Sequence, residues 1–163
     1  MSTIETARSY FQAIQAGDMD TIATSLADEV VWHQPGAHRF SGDHEGRDSV
    51  FALLGQMMQA SEGTFAIDQV HSLMANGDLV AATIHFAGRR DGAAMSMDGV
   101  DLLRIVDGKI VEVWLFSADQ PTENDFWGQS PRATRPSRPP AQAGREDRSP
   151  WRHSSRGDVG HRE

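Results

Sequence analysis

The chain has 163 residues, no cysteine and a formal net charge of −8, which suits one domain with a real core and leaves residues over. Without cysteine there are no disulfides, no thiolate catalysis and no Cys-based zinc site. No apolar run approaches the ~18 residues of a membrane span and the start, MSTIETARSYF, is not a secretory signal, so the expectation is a soluble, cytoplasmic protein with no membrane partner.

Ser2-x-x-Glu5 has the spacing of a capping box, and Ile4, Ala7, Phe11 and Ile14 recur at helical intervals, which predicts a first helix ended by Gly17. Tyr10 flanks that apolar stripe. Asp18 caps a second, shorter helix that buries Ile22 and Leu26, and the Gly17-Asp18 corner makes an αα-hairpin of the pair. Residues 30–33 read as a short strand, broken at Pro35-Gly36. The stretch from there to Gly46 reads as an irregular loop carrying His38, Arg39, His44 and Glu45. A third helix over about residues 47–60 turns Val50, Leu54, Met57 and Met58 to the core, and Glu45 and Asp48 suit the positive end of its dipole.

From Thr64 the pattern is β. Strands over 65–74 and 79–87 are joined at Asn76-Gly77-Asp78, Arg90-Asp91-Gly92 leads into a third, and Asp107-Gly108 turns the chain into the last. Four strands in an antiparallel meander, with residues 30–33 as a fifth, thus follow three helices. This is an α+β order: three N-terminal helices packed on a curved antiparallel sheet. A sheet curved in this way leaves a conical pocket suited to a small ligand. Asp125-Phe126-Trp127 reads as an aromatic clasp that closes the domain at residue 128.

Charge divides at the same place. Residues 1–128 hold 7 basic and 19 acidic side chains, while residues 129–163 hold 8 arginines against 4 acids. An acidic body argues against a nucleic-acid partner, because phosphate binding needs clustered Lys and Arg. Residues 129–163 contain no Leu, Ile, Phe or Met and five of the seven prolines, so a disordered basic Pro/Arg-rich tail is expected.

One residue points to chemistry. Asp101 shares its strand face with Met97, Leu103 and Ile105, since alternate side chains point the same way. A carboxyl group among such neighbours is either paired, with Arg104 or Arg39 at hand, or protonated. Trp32, Leu54, Met58, Phe86, Met97, Leu103 and Val113 are candidates to line an apolar pocket, and at the same spacing they also serve as plain core. His33 titrates near neutral pH and is the default proton carrier. Strict alternation puts Trp32 and Gln34 inward and His33 outward, unless Pro35 reverses the strand there. Asp119 reads as a proton acceptor or as the cap of a final turn.

His33, His38 and His44 are five and six residues apart in a loop, not the i, i+4 spacing of a helical zinc site, so no metal is expected. Neither a Gly-rich phosphate cradle nor a nucleophile elbow occurs, so no cofactor is expected either. Trp114 and Phe116 alternate with Val113 and Leu115, which leaves an apolar outer face that a homodimer would cover.

Several pieces recur in one order: Tyr10-x6-Gly17-Asp18, the run from Ala27 to Trp32 ahead of a proline, and Gly42…Gly46-Arg47 before helix three. Gly99-Val100-Asp101-Leu102-Leu103-Arg104 then precedes an Asp-Gly turn, and Asp119-Gln120…Phe126-Trp127 ends the set. Together they resemble the cone-shaped α+β fold of the nuclear-transport-factor-2 family, and within it the ketosteroid isomerase and SnoaL-like polyketide cyclase branch. The resemblance covers about residues 3–128. It implies a cofactor-independent enzyme acting on an apolar, carbonyl-containing small molecule by isomerisation, cyclisation or dehydration. By the same resemblance Tyr10 stands where a tyrosine donates to the substrate oxyanion, and Asp101 where a protonated aspartic acid is the second donor. The aspartate base of the isomerases is replaced by Gln34, an amide that cannot take a proton from carbon but can orient water or a carbonyl. The acid that cyclases and limonene-type epoxide hydrolases carry on the last strand falls near Leu115, with Asp119 the first acid beyond it. Two other readings follow: a non-catalytic ligand-binding or dimerisation module, and epoxide-hydrolase-like addition of water, for which the usual Arg-x-Asp arrangement is missing.

Overall fold

The structure is a computed structural model and describes residues 1–129. The expected tail therefore lies, from residue 130 on, outside the described residues. Helix α1 (Thr3–Ala16) starts as its sequence demands: the Ser2 hydroxyl accepts from the Glu5 N–H, and the Glu5 carboxylate accepts from the Ser2 N–H. Gly17 stops it in the left-handed region at φ 68°, returning its N–H to the Ala13 and Ile14 carbonyls. Asp18 caps α2 (Met19–Ser25) through the Thr21 N–H. Leu26, expected on that helix, instead opens strand β1 (Leu26–Gln34).

The remaining elements are β2 (Gly42–Glu45), α3 (Arg47–Ala60), β3 (Ala66–Asn76), β4 (Leu79–Arg90), β5 (Ala93–Val106), β6 (Lys109–Ser117) and α4 (Gln120–Trp127). They build a single sheet of order β2-β1-β6-β5-β4-β3. The meander β3 to β6 is antiparallel as expected, but β1 runs parallel to β6, so the six-stranded sheet is mixed. Strand β2 was expected to be loop. Its Gly-Asp-His-Glu sequence has no strand preference, and it is extended because its backbone pairs with β1 from Val31↔Glu45 to Gln34↔Gly42. Register shifts in β1, in β3 and at Arg104/Ile105 mark bulges, which add twist and curl the sheet around the helices without closing it.

Alternation sets the inner face. Val80, Ala82, Ile84 and Phe86 of β4 face inward with Met95, Met97, Asp101, Leu103 and Ile105 of β5. On α3 Val50 and Met57 are buried as expected, with Leu53 beside them, whereas Leu54 is half-buried and Met58 is 42% exposed, so half of the expected stripe lies outside the core.

The clasp at the C-terminal end is a helix. Asp119 caps α4 by accepting from the Thr122 N–H and hydroxyl. Phe126 and Trp127 then insert edge-on into the core, with Trp127 at 5.4 Å from both Phe40 and Phe65. The Arg90 guanidinium ties to the Phe126 carbonyl and Arg39 N–H bonds the Gly128 carbonyl, fastening this end to β4 and to the loop after β1. Among the described residues no helix is long and apolar enough to cross a membrane.

The outer face is more polar than its sequence suggested. Trp114 stacks on His33 at 5.5 Å and lies under the Arg104 guanidinium, leaving Phe116, 57% exposed, as the large bare apolar side chain on β6.

Candidate functional site

Between the concave face of the sheet and the helices lies a cavity of about 320 Å3, within the size range of small-molecule sites. Its wall is mostly apolar: Ile14 from α1, Phe51, Leu54 and Met58 from α3, Trp32 from β1, Ile84 and Phe86 from β4, and Leu115 from β6. Exposed residues Gln15, Gly17, Met19, Gly55 and Met58 form its rim. Four buried polar side chains face into it: Tyr10, Gln34, Asp101 and Glu123.

Each is placed by its element for a local reason. Tyr10 lies one helical turn beyond Ala7 and next to Phe11, whose ring it meets edge-on at 5.1 Å, and it is 1% exposed. Asp101 sits on β5 opposite Ala82 on one side and Leu115 on the other. Two residues earlier on the same face comes Gly99, where a Cβ would stand 2.6 Å from the Phe116 carbonyl oxygen and 3.0 Å from the Phe86 ring. Glycine at this position thus lets the β6 backbone and the Phe86 ring pack closely beside Asp101. Gln34 follows Trp32 by two residues on the inward side of β1, and the Trp32 indole N–H donates to Gln34 Oε1 at 3.0 Å. That bond fixes the amide with its NH2 group free to donate.

Glu123 comes from the side of α4 that packs on the sheet. Ser117 Oγ and Gln120 Nε2 both donate to its Oε1, at 3.0 and 2.9 Å. The Trp127 indole N–H makes no well-formed hydrogen bond, yet its positive edge favours the ionised Glu123 as those two donors do. Burial is the larger effect and raises the Glu123 pKa above the usual carboxylate range. Asp101 goes further: burial first, and then the negative charge of Glu123, push its pKa up to about 7. Burial and the charge of Asp101 likewise raise the Tyr10 phenol, which stays protonated. No hydrogen bond or cation among the described residues offsets this for Asp101 or Tyr10. Arg104 bonds Asp78 at 3.0 Å and Arg39 lies over the Phe40 ring, so neither expected cation reaches Asp101.

Tyr10, Asp101, Trp32, Gln34, Leu54, Met58 and Phe86 are thus gathered at one cavity. Met97, Leu103 and Val113 point inward but pack in the solid core rather than along the cavity wall. His33 is on the other face of the sheet: Pro35 does not reverse the alternation, and the ring lies between Asp43 (2.6 Å) and Glu112 (2.7 Å). It does not line the cavity. Asp119 is exposed and occupied as a helix cap, its pKa lowered by the Thr122 hydroxyl. His38, read as part of an irregular loop, is buried against Trp127, and desolvation lowers its pKa to about 4. Sequence reasoning passed over Glu123. The available signal was its place three and four residues before Phe126 and Trp127, on one face of a helix.

A family model described as a SnoaL-like domain matches residues 7–113. Among solved structures, a Xanthomonas campestris protein of unknown function with a cystatin-like fold is 53% identical, with a TM-score of 0.77 over 79% of this chain and 100% of that one. Bal32a, from a soil-derived mobile gene cassette, is 25% identical, with a TM-score of 0.73 over 77% and 95% of the two chains. IdmH of Streptomyces antibioticus, a candidate polyketide cyclase, is 21% identical, with a TM-score of 0.60 over 72% and 93%, a likeness of fold alone. No curated protein sequence matches the chain.

Proposed function

The chain belongs to the SnoaL-like domain family, and from that premise we propose that it is a cofactor-independent enzyme that polarises the carbonyl group of an apolar small molecule. Isomerisation and cyclisation are the reaction classes this serves. The observation that carries the reading is the burial of Tyr10 and Asp101 at one apolar cavity, with no cation beside them among the described residues. A carboxyl group with a pKa near 7 is substantially protonated at neutral pH, so it donates a hydrogen bond as the phenol does. Two fixed donors in a water-poor pocket stabilise an enolate oxygen far more than water would, and removing one such donor typically slows a reaction by about 10²–10³.

Gln34 favours a second reading, a ligand-binding module without turnover. Its amide has Oε1 occupied by Trp32 and offers only donors to the cavity, so no proton acceptor stands where the related isomerases keep theirs.

Binding of 2-naphthol, whose phenolate mimics a planar enolate, tests the polarisation. The expected result is a rise in Tm for the wild-type protein that Tyr10→Phe and Asp101→Leu each reduce. Equal rises in all three proteins would sink the reading. The same proposal includes a homodimer across the outer sheet face, where Phe116 is 57% exposed. Sedimentation equilibrium should give twice the chain mass, and Phe116→Glu should halve it.

A further inference from the structure

We infer that Glu123 is the proton acceptor of this cavity and that the substrate is an enolisable ketone, held with its oxygen at Tyr10 and Asp101 and an α-carbon at Glu123. This rests on the polarisation reading above and supplies the group that Gln34 cannot. Three observations place the role on Glu123. It lines the same cavity as Tyr10 and Asp101 while only 3% exposed. Its two well-formed donors, Ser117 Oγ and Gln120 Nε2, both fall on Oε1, which holds the carboxylate in place and leaves Oε2 with no well-formed hydrogen bond among the described residues. Gln120 is itself steadied, since Nε2 also donates to Asn124 Oδ1 at 3.0 Å. Among the four buried polar groups at the cavity, Tyr10, Gln34 and neutral Asp101 offer hydrogen-bond donors, and Glu123 is the one fitted to accept.

The two carboxyl groups also settle between them which keeps the proton. Like charges side by side in a dry site do not both ionise readily. Glu123 has hydrogen-bond donors that favour its carboxylate, whereas Asp101 has none among the described residues, so the proton stays on Asp101.

The step balances without a co-reactant. Glu123 Oε2 takes the α-proton, the C–H electron pair becomes the enolate double bond, and the carbonyl π pair moves to the oxygen between Tyr10 and Asp101. Where the ketone carries a C=C bond β,γ to its carbonyl, return of the proton to the γ-carbon, with that double bond moving into conjugation and the carbonyl re-forming, completes an isomerisation. Attack of the enolate carbon on a second carbonyl carbon of the same molecule, with the proton passing to the new alkoxide, completes a cyclisation.

The test is exchange of α-protons of 2-tetralone for deuterium in D2O, followed by NMR, with 2-naphthol binding measured in parallel by thermal shift. Wild-type protein should accelerate exchange above buffer, and Glu123→Gln should lose at least about 100-fold of that acceleration while still binding 2-naphthol. Glu123→Asp keeps a carboxylate drawn back by one methylene and should retain a measurable part, which separates lost chemistry from lost folding. Exchange by Glu123→Gln at the wild-type rate overturns the assignment and leaves the polarisation reading intact. Wild-type exchange no faster than buffer overturns it too. A failure of the polarisation reading shows elsewhere, as undiminished 2-naphthol binding by Tyr10→Phe and Asp101→Leu.

Discussion

The two faces of one sheet treat their acids in opposite ways. Outside, several acids have a cation or a histidine: His33 lies between Asp43 and Glu112, His85 bonds Asp68 at 2.6 Å, and Arg104 bonds Asp78 at 3.0 Å. There the bond to His85 lowers the Asp68 pKa, and the bonds to Glu112 and Asp43 raise that of His33. Inside, Asp101 and Glu123 line one cavity with a phenol, and burial raises the pKa of both. The residue type is the same. What differs is whether the strand position points to solvent and partners or into a dry hollow. An acid in the first setting pairs with a neighbour and ties strands together, while Asp101, in the second, keeps a proton near neutrality.

The largest effects should follow from breaking the inner set. Tyr10→Phe and Asp101→Leu are each expected to lower kcat/KM by about 10²–10³ on any ketone that the wild type turns over, because each removes one donor from the developing oxyanion. Asp101→Asn sharpens the point, since an amide still donates but no longer titrates. Wild-type affinity for 2-naphthol should fall as pH rises through about 7, where Asp101 ionises, and the Asn variant should keep its affinity across that range. Loss of affinity at the same pH in both proteins would mean that another group governs it.

Asp101 should also shape stability, with a definite sign. Its folded pKa of about 7 lies above the ordinary aspartate value of about 3.8, so the folded chain holds the proton more tightly than the unfolded one. That contribution is fully present below about pH 4 and disappears as pH rises through about 7. A shift of this size corresponds to roughly 2–4 kcal/mol at most. Asp101→Asn, free of the ionisation penalty, should therefore unfold at a higher temperature than wild type at pH 8. By calorimetry the gap should shrink towards pH 4, and a gap independent of pH would contradict a buried, titrating Asp101.

How much of this was legible depended on whether a feature is local. The capping box at Ser2 and Glu5, the stop at Gly17 and the Asp107-Gly108 turn are written in adjacent residues, and the structure has each of them; Asp107 and Gly108 both take positive φ, at 51° and 73°. Alternation on β5 placed Asp101 inward correctly. The parallel pairing of β1 with β6 joins Trp32 to Val113 across most of the domain, and neither strand's own pattern announces it. Strand β2 is an extended stretch only because β1 is beside it. Glu123 was missed because an acid near the end of a polar run reads as surface; its burial follows from Phe126 and Trp127 drawing α4 against the sheet. His33 was misassigned to chemistry for the converse reason. A histidine beside an inward tryptophan looks close to the pocket, yet one residue along a strand is the opposite face.

The smallest expected effect is on that outer face, and it checks the division most directly. His33 is raised chiefly by its hydrogen bond to Glu112, so it stabilises the fold while protonated. This support is present below its unfolded pKa of about 6.5 and is lost as pH rises through the higher folded value. The side chain is 27% exposed, and solvent screening limits the pair to about 1 kcal/mol or less. His33→Asn should accordingly lower Tm by a few degrees at pH 6 and by less at pH 8.5, while α-proton exchange and 2-naphthol binding stay at wild-type levels. Were exchange lost in His33→Asn at pH 8.5, where the variant is close to wild type in stability, the proton would have to reach His33 through the sheet, and the contrast between the two faces would fail.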